Sequence, residues 1–370
     1  MRRFLCLNES PAPSPLRRAC VLAAPSWWLA VRPAVAQTVP PASGEVVGTG
    51  ATFPALVYQH WADQQRQLTG MGVVYKPAGS SAGVKAVVAG QVDFGATDVP
   101  LKAAVLAERQ LVQFPTLVGG VVPVVNLPGV PSGALWLTPE LLAQVFAQRI
   151  TRWNHPAIAA LNPGLSLPDL GISRVVRADG SGTTEVFVHY LHLAAPETAA
   201  AIERQGGKAG WPGAPLKAEG NGGVARAVKA NVGAIAYLSS DHVLKEGLNP
   251  VSLRNLAGVW MKPTRESFSA AVRSAGLFKD ELTMPSLLNL DDAAVWPIVT
   301  ATYIVVPKAP ADSERAGRAL NFFYRSFLLG DKAVADSGFA PLPVKTQARI
   351  VTLLAGLRGQ DGRRLPVWHG

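Results

Sequence analysis

Arg177, Asp179, Gly180, Ser181, Gly182, Thr183 and Thr184 fall within eight consecutive residues, and their chemistry suits an oxyanion. An arginine offers a planar fork of N–H donors, and hydroxyls add more. Glycines let backbone N–H groups come close to a ligand. Upstream, Ile172–Val176 is a run that reads as a strand; downstream, Glu185–Leu191 can turn as a helix. The loop therefore opens a helix, where the first backbone N–H groups have no partner inside the helix and the dipole adds partial positive charge. That is a ready anion cradle. The same residues also suit a plainer role. Ser181 or Thr183 can cap the helix, and Asp179 can either orient Arg177 or close a local turn.

Such a loop needs alternating strands and helices to hold it, and the chain supplies them. Glu45–Gly48 reads as a strand and Thr49–Phe53 as a turn, with Pro54 at a favoured first helical position. Val57, Trp61 and Leu68 are expected on one face of that helix. Val73–Tyr75 is the next strand. Gly79–Gly83 follows it into a helix whose expected apolar face holds Val84, Val87 and Val88. Gln91–Ala96 forms a third strand, ending at Thr97 and Asp98. Alternating β and α units imply an α/β fold with a mostly parallel sheet. In such sheets ligands sit outside the carboxyl ends of the strands. All four polar clusters lie at strand carboxyl ends, so they are expected to converge.

Further along, Leu117–Leu127 is a long apolar run containing Gly119 and Gly120. It reads as a buried strand crossing between lobes, with Trp296–Val299 and Tyr303–Val306 as the return. Helices are expected from Thr138 through Phe146, from Gly220 onwards, over Leu320–Leu328 and over Val344–Leu354, and a buried strand over Val232–Leu238. Residues 205–223 are Gly-rich, 245–292 are poorly patterned, and 359–370 read as a basic tail. No internal repeat is visible.

Asp98 narrows the ligand. At a strand end an aspartate usually serves a turn. Beside an anion site it has a sharper meaning, because a carboxylate only accepts hydrogen bonds. It would repel a fully ionised oxyanion such as sulfate, yet accept a bond from the O–H of hydrogen phosphate. Rejection comes from the unpaired, like-charged contact. Asp98 beside donor-rich loops therefore argues for phosphate.

Other chemistries fit less well. Gly79-Ser80-Ser81-Ala82-Gly83 matches the nucleophile-elbow pattern G-x-S-x-G between a strand and a helix, with Asp241 and His242 downstream. A secreted serine hydrolase using Ser81 is thus an alternative, but three fixed positions in five arise readily in a Gly/Ser-rich chain. The six histidines show no metal spacing, so no metal or cofactor is expected. The loop at 177–184 lacks the lysine of a nucleotide P-loop. The 370 residues are 48% hydrophobic and 16% charged, which excludes a disordered chain. Residues 1–36 read as a secretory signal peptide: arginine pairs, a short apolar stretch over Ala19–Val31, and Ala34-Val35-Ala36 before Gln37. The apolar stretch is too short to span a membrane. The expected leader holds both cysteines, five arginines and one glutamate, so its removal lowers the net charge from +10 to +6. That excess comes without a Lys/Arg block, and no nucleic-acid partner is read from it.

Several motifs taken in order resemble one family. Gly50-Ala51-Thr52-Phe53-Pro54, Gly79-Ser80-Ser81, Val92-Asp93-Phe94-Gly95-Ala96-Thr97-Asp98, Phe114-Pro115-Thr116, Arg177-Ala178-Asp179-Gly180-Ser181-Gly182-Thr183 and Gly233-Ala234-Ile235-Ala236-Tyr237 are similar to the periplasmic phosphate-binding proteins of the high-affinity phosphate ABC transporter. The similarity runs across nearly all of residues 45–345. It implies a two-lobed type II periplasmic-binding-protein fold with a ligand cleft between the lobes. Lobe 1 would comprise 37–117 and 298–370, and lobe 2 would comprise 118–297. It implies a soluble, monomeric, non-enzymatic periplasmic protein that captures inorganic phosphate and delivers it to an inner-membrane permease and its ATPase. The runner-up ligand is another tetrahedral oxyanion of the sulfate class. By the family pattern Ala51 and Phe53 offer backbone N–H groups and Thr52 its hydroxyl. Ser80 donates, and Asp98 accepts the ligand's proton. Arg177 pairs with the anion, braced by Asp179, and Ser181, Gly182 and Thr183 complete the set from lobe 2. Lys76-Pro77-Ala78, Ala82 and Thr97 depart from the pattern without removing a ligand group.

Overall fold

A computed structural model describes residues 44–206, 210–276 and 285–367. The expected leader, with Cys6 and Cys20, lies outside them, as does Trp368. The chain opens with β1 (Val46–Gly50), α1 (Ala55–Thr69), β2 (Val73–Pro77), α2 (Ser80–Val88), β3 (Phe94–Thr97), α3 (Ala103–Glu108) and β4 (Leu111–Val125). Its middle runs through β5 (Trp136–Leu137), α4 (Pro139–Phe146), α5 (Pro156–Leu161), β6 (Ser173–Arg177), α6 (Gly182–Ala194), α7 (Pro196–Gly206), β7 (Leu216–Ala218) and α8 (Gly220–Ala230). It continues with β8 (Ala234–Ser239), α9 (Ser240–Glu246), β9 (Asn249–Pro250), β10 (Ser252–Arg254), β11 (Trp260–Met261) and α10 (Arg265–Ser274). The return is β12 (Val299–Pro307), α11 (Ser313–Leu329), α12 (Asp331–Asp336), β13 (Ala340–Pro341) and α13 (Val344–Gly356).

Local chemistry sets several of these boundaries. Thr138 caps α4 by accepting the Leu141 N–H, with Pro139 at the first position. α1 stops at Gly70, whose φ of 74° is left-handed. Helix α10, within the poorly patterned stretch, is held by a reciprocal capping box between Thr264 and Ser267.

One ten-stranded sheet follows the order β2-β1-β3-β12-β4-β8-β6-β7, with β9 and β13 also paired to β4. Its flanks are parallel: β1 with β2 and β3, and β6 with β7 and β8. Its centre is antiparallel, β12 against β3 and β4, and β4 against β8. The expected parallel pairing thus holds on the flanks and yields at the centre, where β4 leads out of the first flank and β12 leads back. β4 changes partner along its length: Leu111–Gly120 pair with β12, and Val121–Val125 pair with β8. It begins earlier than Leu117, because Gln113 and Thr116 interrupt the apolar pattern but are satisfied inside. Gln113 bonds the backbone of Leu101, and Thr116 meets the Tyr58 hydroxyl at 2.5 Å.

Each flank is filled by its own aromatic cluster. Tyr58, Trp61, Tyr75, Phe94, Phe114, Phe322 and Phe323 pack on the β1 side, with centroids 4.9–6.4 Å apart. Phe146, Phe187, Trp211 and Tyr237 pack on the β6 side, the closest pair at 4.2 Å.

The helix faces differ from expectation in two places. Leu68 is exposed, and α1 instead buries Val57, Tyr58, Trp61, Ala62 and Gln65. On α2 Val88 is exposed, and the inward residues are Ser80, Gly83 and Val87. Gly83 is the hinge of that packing: a Cβ there would lie 2.6 Å from Gly50 Cα and 2.8 Å from the carbonyl oxygens of Thr49 and Ala96. The bare backbone lets α2 drop onto the strand ends, which places its N-terminus beside β1 and β3. The strand expected over Gln91–Ala96 starts only at Phe94, because Asp93 turns its carboxylate back to accept the Val47 N–H at 2.7 Å. The C-terminal tail is docked, with Leu365 and Val367 buried.

Candidate functional site

The clusters expected to converge do so. β1 ends in the tight turn that carries Thr52 and Phe53, and neither residue's N–H donates to a backbone carbonyl among the described residues. Ser80 starts α2, Asp98 follows β3, and Gly182 and Thr183 start α6. Their contacts join the two flanks of the sheet. The Ser81 N–H donates to Gly180 O at 3.2 Å. A Cβ on Gly79 would lie 2.7 Å from Asp179 Oδ2, and one on Gly182 would lie 2.4 Å from Ser80 Oγ and 2.9 Å from Asp98 Cβ. Only glycine allows this approach, and at Gly79 a φ of 93° requires it as well.

Arg177 is the charge at the centre. Its side chain is 1% exposed. Nε donates to Asp179 Oδ1 at 2.7 Å, and Nη2 donates to Asp179 Oδ2. Nη1 is buried and has no partner among the described residues. Two-thirds of the guanidinium is thus fixed by one carboxylate, and the remaining edge is presented unpaired. Burial on its own would push the Asp179 carboxyl up. The Arg177 bonds and the Gly220 N–H at 3.0 Å outweigh it and hold the group below the usual carboxylate range. Of the two roles open to Asp179, orienting Arg177 is the one the geometry displays.

Asp98 is 1% exposed. Thr302 donates to Oδ1 at 2.8 Å, and Thr183 reaches Oδ2 at 3.4 Å. Burial pushes its carboxyl up to about 7, against the Thr302 bond, the Arg177 charge and the Thr183 hydroxyl, all of which lower it. A carboxyl that titrates near neutrality can hold or accept a proton at the starts of α2 and α6, where Ser80 and Thr183 touch Asp98.

Two expected donors are placed differently. The Ala51 N–H is not free: it donates to Ala96 O at 2.9 Å, and the Ala51 carbonyl accepts from the Tyr75 hydroxyl at 2.6 Å. The parallel ladder of β1 with β3 runs one residue beyond the strand end and takes the N–H, while the Tyr75 side chain on β2 takes the carbonyl. Ala51 is therefore wall, not donor. Ser181 takes the plainer role, accepting the Thr184 N–H at 3.1 Å as the cap of α6, although its own hydroxyl proton remains available.

Two further residues belong to the cluster without having been singled out. Thr302 lies on β12, where Thr300 and Thr302 both turn hydroxyls to Asp98, one to its carbonyl and one to its carboxylate. Two threonines at alternate positions in an apolar strand were the available signal. Asn221, on α8, donates from its backbone and from Nδ2 to Thr52 Oγ1, at 3.2 and 3.0 Å. In the sequence the Gly220–Gly223 run signals only a helix start.

The hydrolase residues do not assemble. Ser81 is exposed on the first turn of α2, and Asp241 and His242 gather around Ser239 instead. Ser239 Oγ lies 2.5 Å from Asp241 Oδ1 and 3.1 Å from His242 Nδ1. A cavity of about 500 Å³ adjoins Asp98, lined also by Val99, Val186, His189, Leu287 and Tyr303 among others. Its walls are largely apolar and exclude Arg177 and Thr52, so it is not the anion cradle.

Comparisons with known proteins give the family and the fold. The PBP superfamily domain matches residues 35–325. Over 322 residues the chain is 37% identical to the phosphate-binding protein PstS of Pasteurella multocida, covering 86% of this chain and 93% of that one. It is 36% identical over 311 residues to the phosphate-binding protein PstS of Xylella fastidiosa, covering 83% and 85%. A solved high-affinity periplasmic phosphate-binding protein bound with phosphate, PfluDING, is 22% identical, with a TM-score of 0.65 over 86% of this chain and 96% of that one. The likeness to it is one of fold, the two-lobed type II binding-protein architecture.

Proposed function

The chain belongs to the PstS family of phosphate-binding proteins, and from that premise we propose that it captures inorganic phosphate between two lobes and delivers it to an inner-membrane ABC permease and its ATPase. It is a binding protein, not an enzyme. Lobe 1 comprises 37–117 with 298–370, and lobe 2 comprises 118–297. The leader at 1–36 directs export to the periplasm, where the chain works as a monomer. Among the described residues no helix is long and apolar enough to cross a membrane.

The observation that carries this reading is the unpaired Arg177 Nη1, a buried donor on a guanidinium whose charge is felt by Asp98. A buried cationic edge without a partner is costly unless a ligand supplies one. Phosphate would take that edge, the N–H groups of Thr52, Phe53, Gly182 and Thr183, and the hydroxyls of Thr52, Ser80 and Ser181. Asp98 would accept the ligand's proton. Its Oδ2 suits this role, because the Thr183 contact that holds it is long while Oδ1 is taken by Thr302. Calorimetry with phosphate on the chain from Gln37 tests the reading, with excess sulfate as competitor. At pH 8, where Asp98 is ionised, phosphate binding that sulfate leaves untouched is expected. Sulfate bound more tightly than phosphate at pH 8 would replace phosphate with the runner-up ligand.

A further inference from the structure

Thr52 and Asn221 are 169 residues apart and lie on opposite flanks of the sheet. Both are buried, Asn221 completely. A hydroxyl has two acceptor lone pairs and one proton. Asn221 fills both lone pairs of Thr52 Oγ1, one with its backbone N–H and one with Nδ2. The Thr52 proton therefore has to point to a third atom. No acceptor for it is found among the described residues, and Thr52 stands at the turn after β1 against Gly220-Asn221, where the Gly220 N–H binds Asp179, the partner of Arg177. The amide of Asn221 is itself held in this sense, because Oδ1 receives the Ser239 N–H at 3.4 Å, leaving Nδ2 for Thr52.

We infer that Asn221 is a positioning residue for anion capture: by occupying both lone pairs of Thr52 across the cleft, it turns the Thr52 hydroxyl into an obligate donor to the ligand, and it does so only when the two lobes meet. The bond thereby links closure to ligand affinity. In an open molecule the Thr52 oxygen is hydrated and its proton has no fixed direction. On closure the proton is aimed before any ligand reorganises it, which removes an orientational cost from binding. Asn221 does not touch the ligand; it acts through Thr52.

The inference rests on the phosphate-capture reading, and a double-mutant cycle separates the two. Phosphate affinity is measured by calorimetry on wild type, Asn221→Ala, Thr52→Val and the double variant, with thermal melts alongside. Each single change is expected to weaken phosphate by about 10- to 100-fold. The double variant should be no weaker than the poorer single by more than about threefold, since Asn221 has nothing left to orient. A merely structural role for Asn221 gives the other result: Asn221→Ala weakens binding equally with and without the Thr52 hydroxyl, which overturns the inference. If Asn221→Ala melts too low to titrate, the near-isosteric Asn221→Leu, which removes the Nδ2 donor and adds neither charge nor acceptor, reads the same coupling through the same cycle. Thr52→Ser keeps the hydroxyl and should bind within a few-fold of wild type; binding as weak as that of Thr52→Val also overturns it. Wild type that fails to bind phosphate sinks the capture reading and this inference together, whereas wild-type binding with an additive cycle sinks this inference alone.

Discussion

Because Asp98 titrates near neutrality, rejection of sulfate should depend on pH. Its carboxyl is pushed up to about 7, first by burial. Above that value it is ionised, accepts only, and repels an oxyanion that brings no proton. Below it the carboxyl carries a proton and becomes a donor, which sulfate can use. The protonated fraction falls about tenfold per pH unit above 7, and one unit corresponds to about 1.4 kcal/mol. Apparent sulfate affinity should therefore be nearly level from pH 5 to 6.5 and then fall about 50-fold between pH 7 and 9. Phosphate should escape this slope. The site needs one proton between carboxylate and ligand, and hydrogen phosphate brings its own when Asp98 has lost its proton.

The assay is competition calorimetry across pH 5–9 at fixed ionic strength. Asp98→Asn provides the control. An amide keeps the shape and can donate at every pH, so sulfate affinity in this variant should be flat and, at pH 9, above wild type. Sulfate that binds wild type equally at pH 7 and pH 9, or that fails to bind at pH 6, refutes the assignment of Asp98 as the proton gate. So does an Asp98→Asn variant that rejects sulfate at pH 9 as wild type does. The sign matters as much as the size. A carboxyl held low by Arg177 would have stayed ionised throughout and shown no slope, and it is because burial outweighs the arginine that a slope is expected.

Three other outcomes follow from named contacts. Arg177→Lys removes the planar fork that meets both oxygens of Asp179 and replaces Nη1 with a mobile ammonium; phosphate affinity should drop by about 2–5 kcal/mol, measured by titration. Gly182→Ala puts a methyl 2.4 Å from Ser80 Oγ and 2.9 Å from Asp98 Cβ, on the opposite flank. It should weaken phosphate by at least about tenfold, through misplaced contacts between the flanks, while the melting temperature stays within a few degrees of wild type. Gly83→Ala puts a methyl against backbone on three sides within one flank; by chemical denaturation it should lose about 1–3 kcal/mol of stability or more.

Much of the cradle was legible because each part is local. A strand, a Gly/Ser/Thr loop and a helix start are contiguous at Thr49–Phe53, at Gly79–Gly83 and at Arg177–Thr184, and strand polarity places their ends together. What escaped depends on long-range pairing. Thr302 meets Asp98 across 204 residues and Asn221 meets Thr52 across 169, and neither carries a motif. Ala51 was misjudged for the same reason. Whether its N–H is free depends on how far the ladder to β3 extends, which is a property of register and not of the Gly-Ala-Thr-Phe string. The start of β4 moved because Gln113 and Thr116 find their partners inside the fold, and polar residues with buried partners look like loop in a one-dimensional pattern; β3 shortened for the opposite reason, since Asp93 sits in an apolar run that reads as strand yet turns its carboxylate to the Val47 N–H.

The contacts joining the two flanks at the site are of a different kind from those within each. Inside, aromatic clusters and nearly dry strands hold each flank together. Across the site the joins are the Ser81 N–H on Gly180 O, the Thr183 hydroxyl on Asp98, and the Asn221 amide on Thr52. Each exchanges with water on opening and is worth only about 1 kcal/mol net. An interface built on apolar area would hold the flanks shut whether or not a ligand were present. One built on exchangeable hydrogen bonds, with glycines where backbones approach, leaves the balance to whatever anion completes the pairing of Arg177 Nη1. A ligand shifts a conformational equilibrium only by its differential contacts. On the proposed reading the differential contact is that buried cationic edge, so the group proposed to recognise the anion is also the one that would make closure depend on it.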